Sequence, residues 1–153
     1  MTIIKPIART ATSSGSLRVS LCDTNPDVAQ SLARAFHDVE CAEVLAGNLL
    51  DLDCDALVSP ANSFGDMSGG LDQHIDNFYR GSAQRAAMNH IAERFHGELP
   101  VGVATILAMD SRRFPFLILS PTMRVPSRVS GTINAYLSMR AMLVSVVEHN
   151  KLQ

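Results

Sequence analysis

Charge is scarce in this sequence. Only 18% of its 153 residues are charged, and 13 basic against 15 acidic side chains leave a formal net charge of −2. A chain so balanced does not hold nucleic acid by neutralising phosphates. Cysteine is scarce too: Cys22, Cys41 and Cys54 are odd in number and form no pair spacing, which excludes a disulfide framework or a zinc ribbon and reads as reduced cytoplasmic thiols. No apolar run approaches the roughly 18 residues that span a bilayer. Lys5 and Arg9 interrupt the N-terminal stretch before a signal-peptide core could build. The reading is a soluble cytoplasmic domain with no membrane and no nucleic-acid partner. What is plentiful is apolar material, 46% of residues, enough for a core and too much for general disorder. The length suits one domain, and neither a fixed-period repeat nor a linker is visible.

Residues 1–16 read as a flexible leader, its second half (IARTATSSGS) small, polar and aperiodic. The domain is placed at 17–153. Leu17, Val19 and Leu21 alternate with polar residues, the period of a half-buried strand. Asn25 before Pro26 is a cap and first helical position, followed by a stripe of Val28, Ala29, Leu32, Ala33 and Phe36. A strand at 42–46 ends at Gly47, and the short apolar run 56–59 reads as a buried central strand. Helices are predicted over 71–79 and 83–96, the second with Ala87, Met88, Ile91 and Phe95 inward and Gly97 as its C-terminal cap. Strands are predicted at 101–108 and 116–119, then a helix at 132–149 with apolar residues on several faces, Ile133, Leu137, Leu143, Val144 and Val147 among them. Alternating strands and helices around apolar strands predict an α/β sheet covered by helices on both faces.

The chemistry concentrates in the stretch from Asp55 to Asp72. It reads as a buried strand, a polar loop (PANSFGDMSGG), and a glycine pair opening a helix. Ligands of open α/β sheets sit at the carboxyl ends of strands, and residues without Cβ at a helix start let backbone N–H groups approach an anion. Asp72, in the first helical turn, brings a carboxylate to the same place. The spacing alone also fits a plain tight turn, with Asp72 as a favourable dipole contact.

This stretch resembles the first signature of macro domains, the ADP-ribose-binding modules that include Appr-1″-p processing proteins. There a strand ends in Asn-Ala-Ala-Asn-Ser, followed by a glycine run, a hydrophobic residue and Asp. Here it stands as Ser59-Pro60-Ala61-Asn62-Ser63 with Ser68-Gly69-Gly70-Leu71-Asp72 after it. Gly47-Asn48-Leu49 lies where the family has Gly-Asp-Ile, and FPFLILSPTMRV at 114–125 with Asn134-Ala135-Tyr136 is similar to the bacterial and phage-like branch.

The resemblance implies a three-layer α/β/α sandwich with a mixed, mostly parallel sheet. Because the family continues past the helix at 132–149 into a further strand and a second glycine-rich loop, it also implies a domain lacking its last strand and helix. It implies binding of ADP-ribose or an ADP-ribosylated protein, with hydrolysis of the 1″ linkage of mono-ADP-ribosylated acidic residues or related metabolites as the possible activity. Carried over by position, Asn62 clamps the distal ribose and Asp72 orients the attacking water. Gly47, Asn48, Leu49, Ala61, Ser68, Gly69, Gly70 and Leu71 complete the ligand site. Asn48 replaces an Asp that hydrogen-bonds adenine, and Ser68 replaces a glycine of the run. Gln73-His74 follows Asp72 where poly-ADP-ribose hydrolases carry paired glutamates, so chain cleavage is not expected. A binding module without turnover, or an inactive remnant, stays open, as does the oligomeric state.

No cofactor or metal is called for. His37, His74, His90, His96 and His149 fall in no recognised zinc spacing. Ser63 lacks the flanking glycine of a nucleophile elbow. Arg112, Arg113, Arg124 and Arg128 read as a solvated turn, with Arg124 able to approach a phosphate if its loop faces the cleft.

Overall fold

The computed structural model describes residues 2–6, as backbone, and 17–152. A six-stranded mixed sheet runs through the middle in the order β3-β2-β1-β4-β6-β5. Its strands are β1 (Thr2–Pro6), β2 (Leu17–Asp23), β3 (Ala42–Ala46), β4 (Ala56–Ser59), β5 (Thr105–Ala108) and β6 (Phe116–Leu119). Both β2–β3 and β4–β6 pair in parallel, and β1 pairs antiparallel with β2 and with β4. Strands β2, β3, β4 and β6 therefore share one direction, while β1 and β5 oppose it. Four helices cover the sheet: α1 (Pro26–Ala35), α2 (Gly70–Phe78), α3 (Ser82–Phe95) and α4 (Asn134–Lys151).

One expectation is corrected at the N-terminus. The leader placed at 1–16 gives up Thr2–Pro6, which are β1, inserted between β2 and β4. Five residues are too few to show a period, and the pairing that makes them a strand comes from distant residues. Residues 7–16 lie outside the described residues.

Alternation along β4 and β6 sorts the core into two faces. Leu57, Leu117 and Leu119 join Ile75, Ala83, Ala87 and Ile91 of α2 and α3, with Phe114 and Leu99 closing the cluster. Ala56, Val58 and Ile118 face the other way, against Met142 and Val146 of α4. Helix α1 shares that second face: Leu32 and Phe36 line a cavity together with Leu21, Val58 and Met142.

Local chemistry explains the helix ends. The Asn25 side chain accepts from the Asp27 N–H at 2.9 Å, with Pro26 at the first helical position. Helix α3 ends with His96 and Gly97 both left-handed, and the Gly97 N–H returns to the Ile91 carbonyl. Three details differ from expectation. Val28, Met88, Ile133, Val144 and Val147 face solvent, so the buried stripes are narrower than the apolar ones. Strand β5 begins at Thr105, not 101, because Val103 N–H closes a turn onto the Pro100 carbonyl. Helix α4 spans Asn134–Lys151, not 132–149.

Candidate functional site

The carboxyl ends of β2, β3, β4 and β6 lie along one rim, and the loop from β4 to α2 starts there. Pairing between β4 and β6 continues past both strands. Ser120 N–H donates to the Ser59 carbonyl, Thr122 N–H to Pro60, and Ser63 N–H to the carbonyls of Met123 and Arg124. This zipper holds 60–63 rigidly at the rim.

From there Asn62 shapes the loop. Its side-chain oxygen accepts from the N–H groups of Phe64 (3.0 Å) and Asp66 (3.3 Å), and its amide nitrogen donates to the Asp66 carbonyl at 2.8 Å. The turn brings Gly65, at φ +73°, against α3, where an added Cβ would meet Ile91 Cδ1 at 3.0 Å and Ala87 Cβ at 3.2 Å. Met67 N–H then donates to Gln84 of α3 at 2.8 Å. Asn62 is thus 7% exposed and bonded to its own loop, with one amide hydrogen left to offer a ligand.

Beyond Met67 the chain turns outward. Ser68, Gly69 and Gly70 are exposed. Gly69 is the N-cap of α2, and no side chain caps the helix. Gly70 takes φ +57°, a left-handed conformation, and a Cβ at Gly69 or Gly70 would meet nothing within 4 Å. The first N–H groups of α2 are therefore approachable donors at the positive end of a helix dipole.

Asp72 lies half-buried one residue beyond Leu71, whose side chain packs on the core with Leu49. Its Oδ1 accepts a 2.6 Å hydrogen bond from the hydroxyl of Ser59, the fully buried last residue of β4. Burial pushes the Asp72 carboxyl above its ordinary range; the Ser59 bond opposes that rise and the Asp66 carboxylate adds to it. Asp66 is held below its ordinary range by hydrogen bonds from the side chain and backbone of Ser68.

Gly47, Asn48 and Leu49 follow β3 on the same rim. Asn48 is exposed, and its side-chain oxygen accepts from Leu50 N–H at 3.0 Å, capping a 3₁₀ turn over Leu49–Asp51. Leu49 is a core residue. Ala61 is buried beside Asn62. Arg124 is engaged elsewhere: its guanidinium bonds both oxygens of Glu98 at 2.8 and 3.0 Å and stacks over Phe64 at 5.1 Å. Among the described residues no three His, Cys, Asp or Glu side chains come together as a metal site.

The structure thus joins Ser59 to Asp72 directly and ties Asn62, through Asp66, to Ser68 ahead of Gly69 and Gly70. It also shows a feature that sequence reading missed: a cavity of about 250 Å³ on the α1/α4 face, lined by Leu21, Val58, Pro60, Thr122, Ser138 and Met142 among others. Neither Asn62 nor Asp72 reaches it. Its only sequence signal is the inward set of β2 and β4, which any core shares.

No family model matches the chain. The fold, however, is macro-domain-like. The macrodomain of Mycobacterium tuberculosis DarG superposes with a TM-score of 0.51 at 22% identity, over 70% of this chain and 66% of that one. The macrodomain of Thermus aquaticus DarG gives 0.53 at 20%, over 67% and 66%. Thermosipho africanus DarTG, solved in complex with ADP-ribose, gives 0.53 at 14%, over 87% of this chain and 42% of that one. In sequence, a protein of Aquifex aeolicus with no described function is 30% identical over 101 residues, and the match spans 66% of this chain and 58% of that protein.

Proposed function

We propose that the rim binds ADP-ribose or an ADP-ribosyl derivative, the pyrophosphate over the start of α2 and the distal sugar toward Asp72. The observation that carries this reading is the uncapped, side-chain-free entry to α2 beside a half-buried carboxylate pinned to a strand tip. Such an entry holds an anion through backbone donors and needs no basic patch. The shared fold with a protein solved bound to ADP-ribose supports the same ligand class.

A second reading, hydrolysis of the 1″ linkage of mono-ADP-ribosylated acidic residues, is favoured by the environment of Asp72. A carboxyl raised by burial is a better general base near neutrality than an ordinary one. A water oxygen would bond to C1″ as Asp72 takes its proton, the C1″–O bond would break, and the modified carboxylate would leave. Asn62 would contribute its remaining N–H to a sugar hydroxyl.

Gly69→Val tests the binding. Gly69 has an extended φ of −142° and open space at its Cβ, so the variant folds while its side chain covers the helix start. By calorimetric titration, ADP-ribose affinity is expected to fall about tenfold or more, because the valine side chain keeps the anion from the helix start. No heat from the wild type, or equal affinity in the variant, would overturn the reading. Incubation with mono-ADP-ribosylated protein then separates the two readings: release that disappears in Asp72→Ala selects hydrolysis.

A further inference from the structure

Asp72 does not stand alone, and its support comes from the other side of the rim. Ser59 is 0% exposed, and its hydroxyl has one hydrogen, which points to Asp72 Oδ1 at 2.6 Å. The Ser59 hydroxyl oxygen in turn accepts from the Ala61 N–H at 3.4 Å. Helix α2 opens at Gly70 behind a Gly69 N-cap, so neither residue offers the Asp72 carboxylate a side-chain partner. The tip of β4 is by contrast held in the sheet, paired in register with β6 through Ser59↔Leu119.

We propose that Ser59 is a positioning residue for Asp72: its hydroxyl fixes the rotation of the carboxylate and so decides which oxygen faces the ligand. This rests on the ADP-ribose reading of the rim. A 2.6 Å O–H···O contact lies in the range of a hydrogen bond to an ionised acceptor, stronger than a neutral one. Ser59 therefore favours the ionised form of Asp72, the form that accepts from a sugar hydroxyl or a water. Opposing it are burial and Asp66, the charged group from the β4–α2 loop that acts on Asp72. No salt bridge reaches Asp72 among the described residues. On α2 itself, the ionisable neighbours His74 and Asp76 lie two and four residues on.

Two variants push Asp72 in opposite directions. Ser59→Ala removes the donor at almost constant volume, and Asp66→Asn removes the neighbouring charge while keeping an acceptor for the Ser68 N–H. The Asp72 carboxyl is titrated by carbon NMR in both variants and the wild type, and ADP-ribose affinity is measured across the same pH range. In Ser59→Ala the Asp72 midpoint is expected to move to higher pH, carrying the acid limb of the affinity profile with it, and in Asp66→Asn both move to lower pH. On the acid limb, affinity in Ser59→Ala is expected to fall about threefold or more, a modest part of what a charge-assisted hydrogen bond supplies. A folded Ser59→Ala protein whose Asp72 midpoint matches the wild type would overturn the proposal, as would an affinity profile that ignores the shift. If the wild type binds no ADP-ribose, the ligand reading fails, while the NMR midpoints still decide whether Ser59 governs Asp72.

Discussion

The two faces of the sheet are built differently. Against α2 and α3 the packing is close: Leu57, Ile75, Ala83, Ala87, Leu99, Phe114 and Leu117 are all fully buried, and the buried Ser59 at the tip of β4 bonds Asp72 of α2. Against α1 and α4, a cavity of about 250 Å³ is left among side chains of both helices and of β2 and β4, and a buried pair of serines, Ser120 and Ser138, joins the end of β6 to α4 by reciprocal hydrogen bonds. The tight face is the one that carries Asp72 and the Asn62 loop. Close packing and placement of polar groups go together, because a side chain is held in one rotamer only where its surroundings leave no second one.

The largest effect that would test this contrast is Leu117→Ala, which removes a fully buried side chain from the tight face and is expected to cost about 2–5 kcal/mol in denaturant unfolding. A matched pair of enlargements sharpens it. Ala87→Val forces a methyl against Gly65 and is expected to cost about 1–3 kcal/mol, whereas Val58→Ile, a buried position on the cavity lining, changes stability by less than about 1 kcal/mol in the same measurement. If both cost the same, the two faces do not differ in packing. Gly70→Ala comes next: the left-handed backbone resists a Cβ though the space is open, so a loss of about 1 kcal/mol is expected in a thermal melt.

The smallest effect concerns pH. The Asp72 carboxyl is raised in the folded state, so its contribution is fully present below the ordinary carboxylate pKa and is lost as pH rises through the folded value. Ionising it at neutral pH therefore weakens the fold slightly. Asp72→Asn keeps an acceptor for Ser59 and carries no charge. It is expected to match or exceed wild-type stability at pH 7 and to lose that advantage in acid, a difference that paired melts at pH 3.5 and pH 7 would show.

Much of this was legible in the chain. Alternation located β2 and helical stripes located α1 and α3, because each buries one face of its own residues, while β4 and β6 stood out as short apolar runs buried on both faces. Strand β1 was illegible because its identity depends on partners elsewhere in the chain. The loop's position at the rim was readable; the work of Asn62 was not, since an amide suited to a ribose is equally suited to a turn. The spacing Asn62-Ser63-Phe64-Gly65-Asp66 holds the signal for the turn, an Asx residue ahead of a left-handed glycine. Ser59 escaped notice because its partner lies 13 residues away across a loop whose path no periodicity reveals.

Strand β1 also divides the sheet into unequal seams. Along β2 it is paired from Thr2 to Pro6, but along β4 only Ile3 and Ile4 find partners, Leu57 and Ala56. Unzipping would begin at that shorter seam, freeing β2 and β3 as one leaf and β4, β6 and β5 as another. Amide exchange should then report two cooperative blocks of unequal lifetime, with Asp72 and its glycine entry travelling on the second leaf intact.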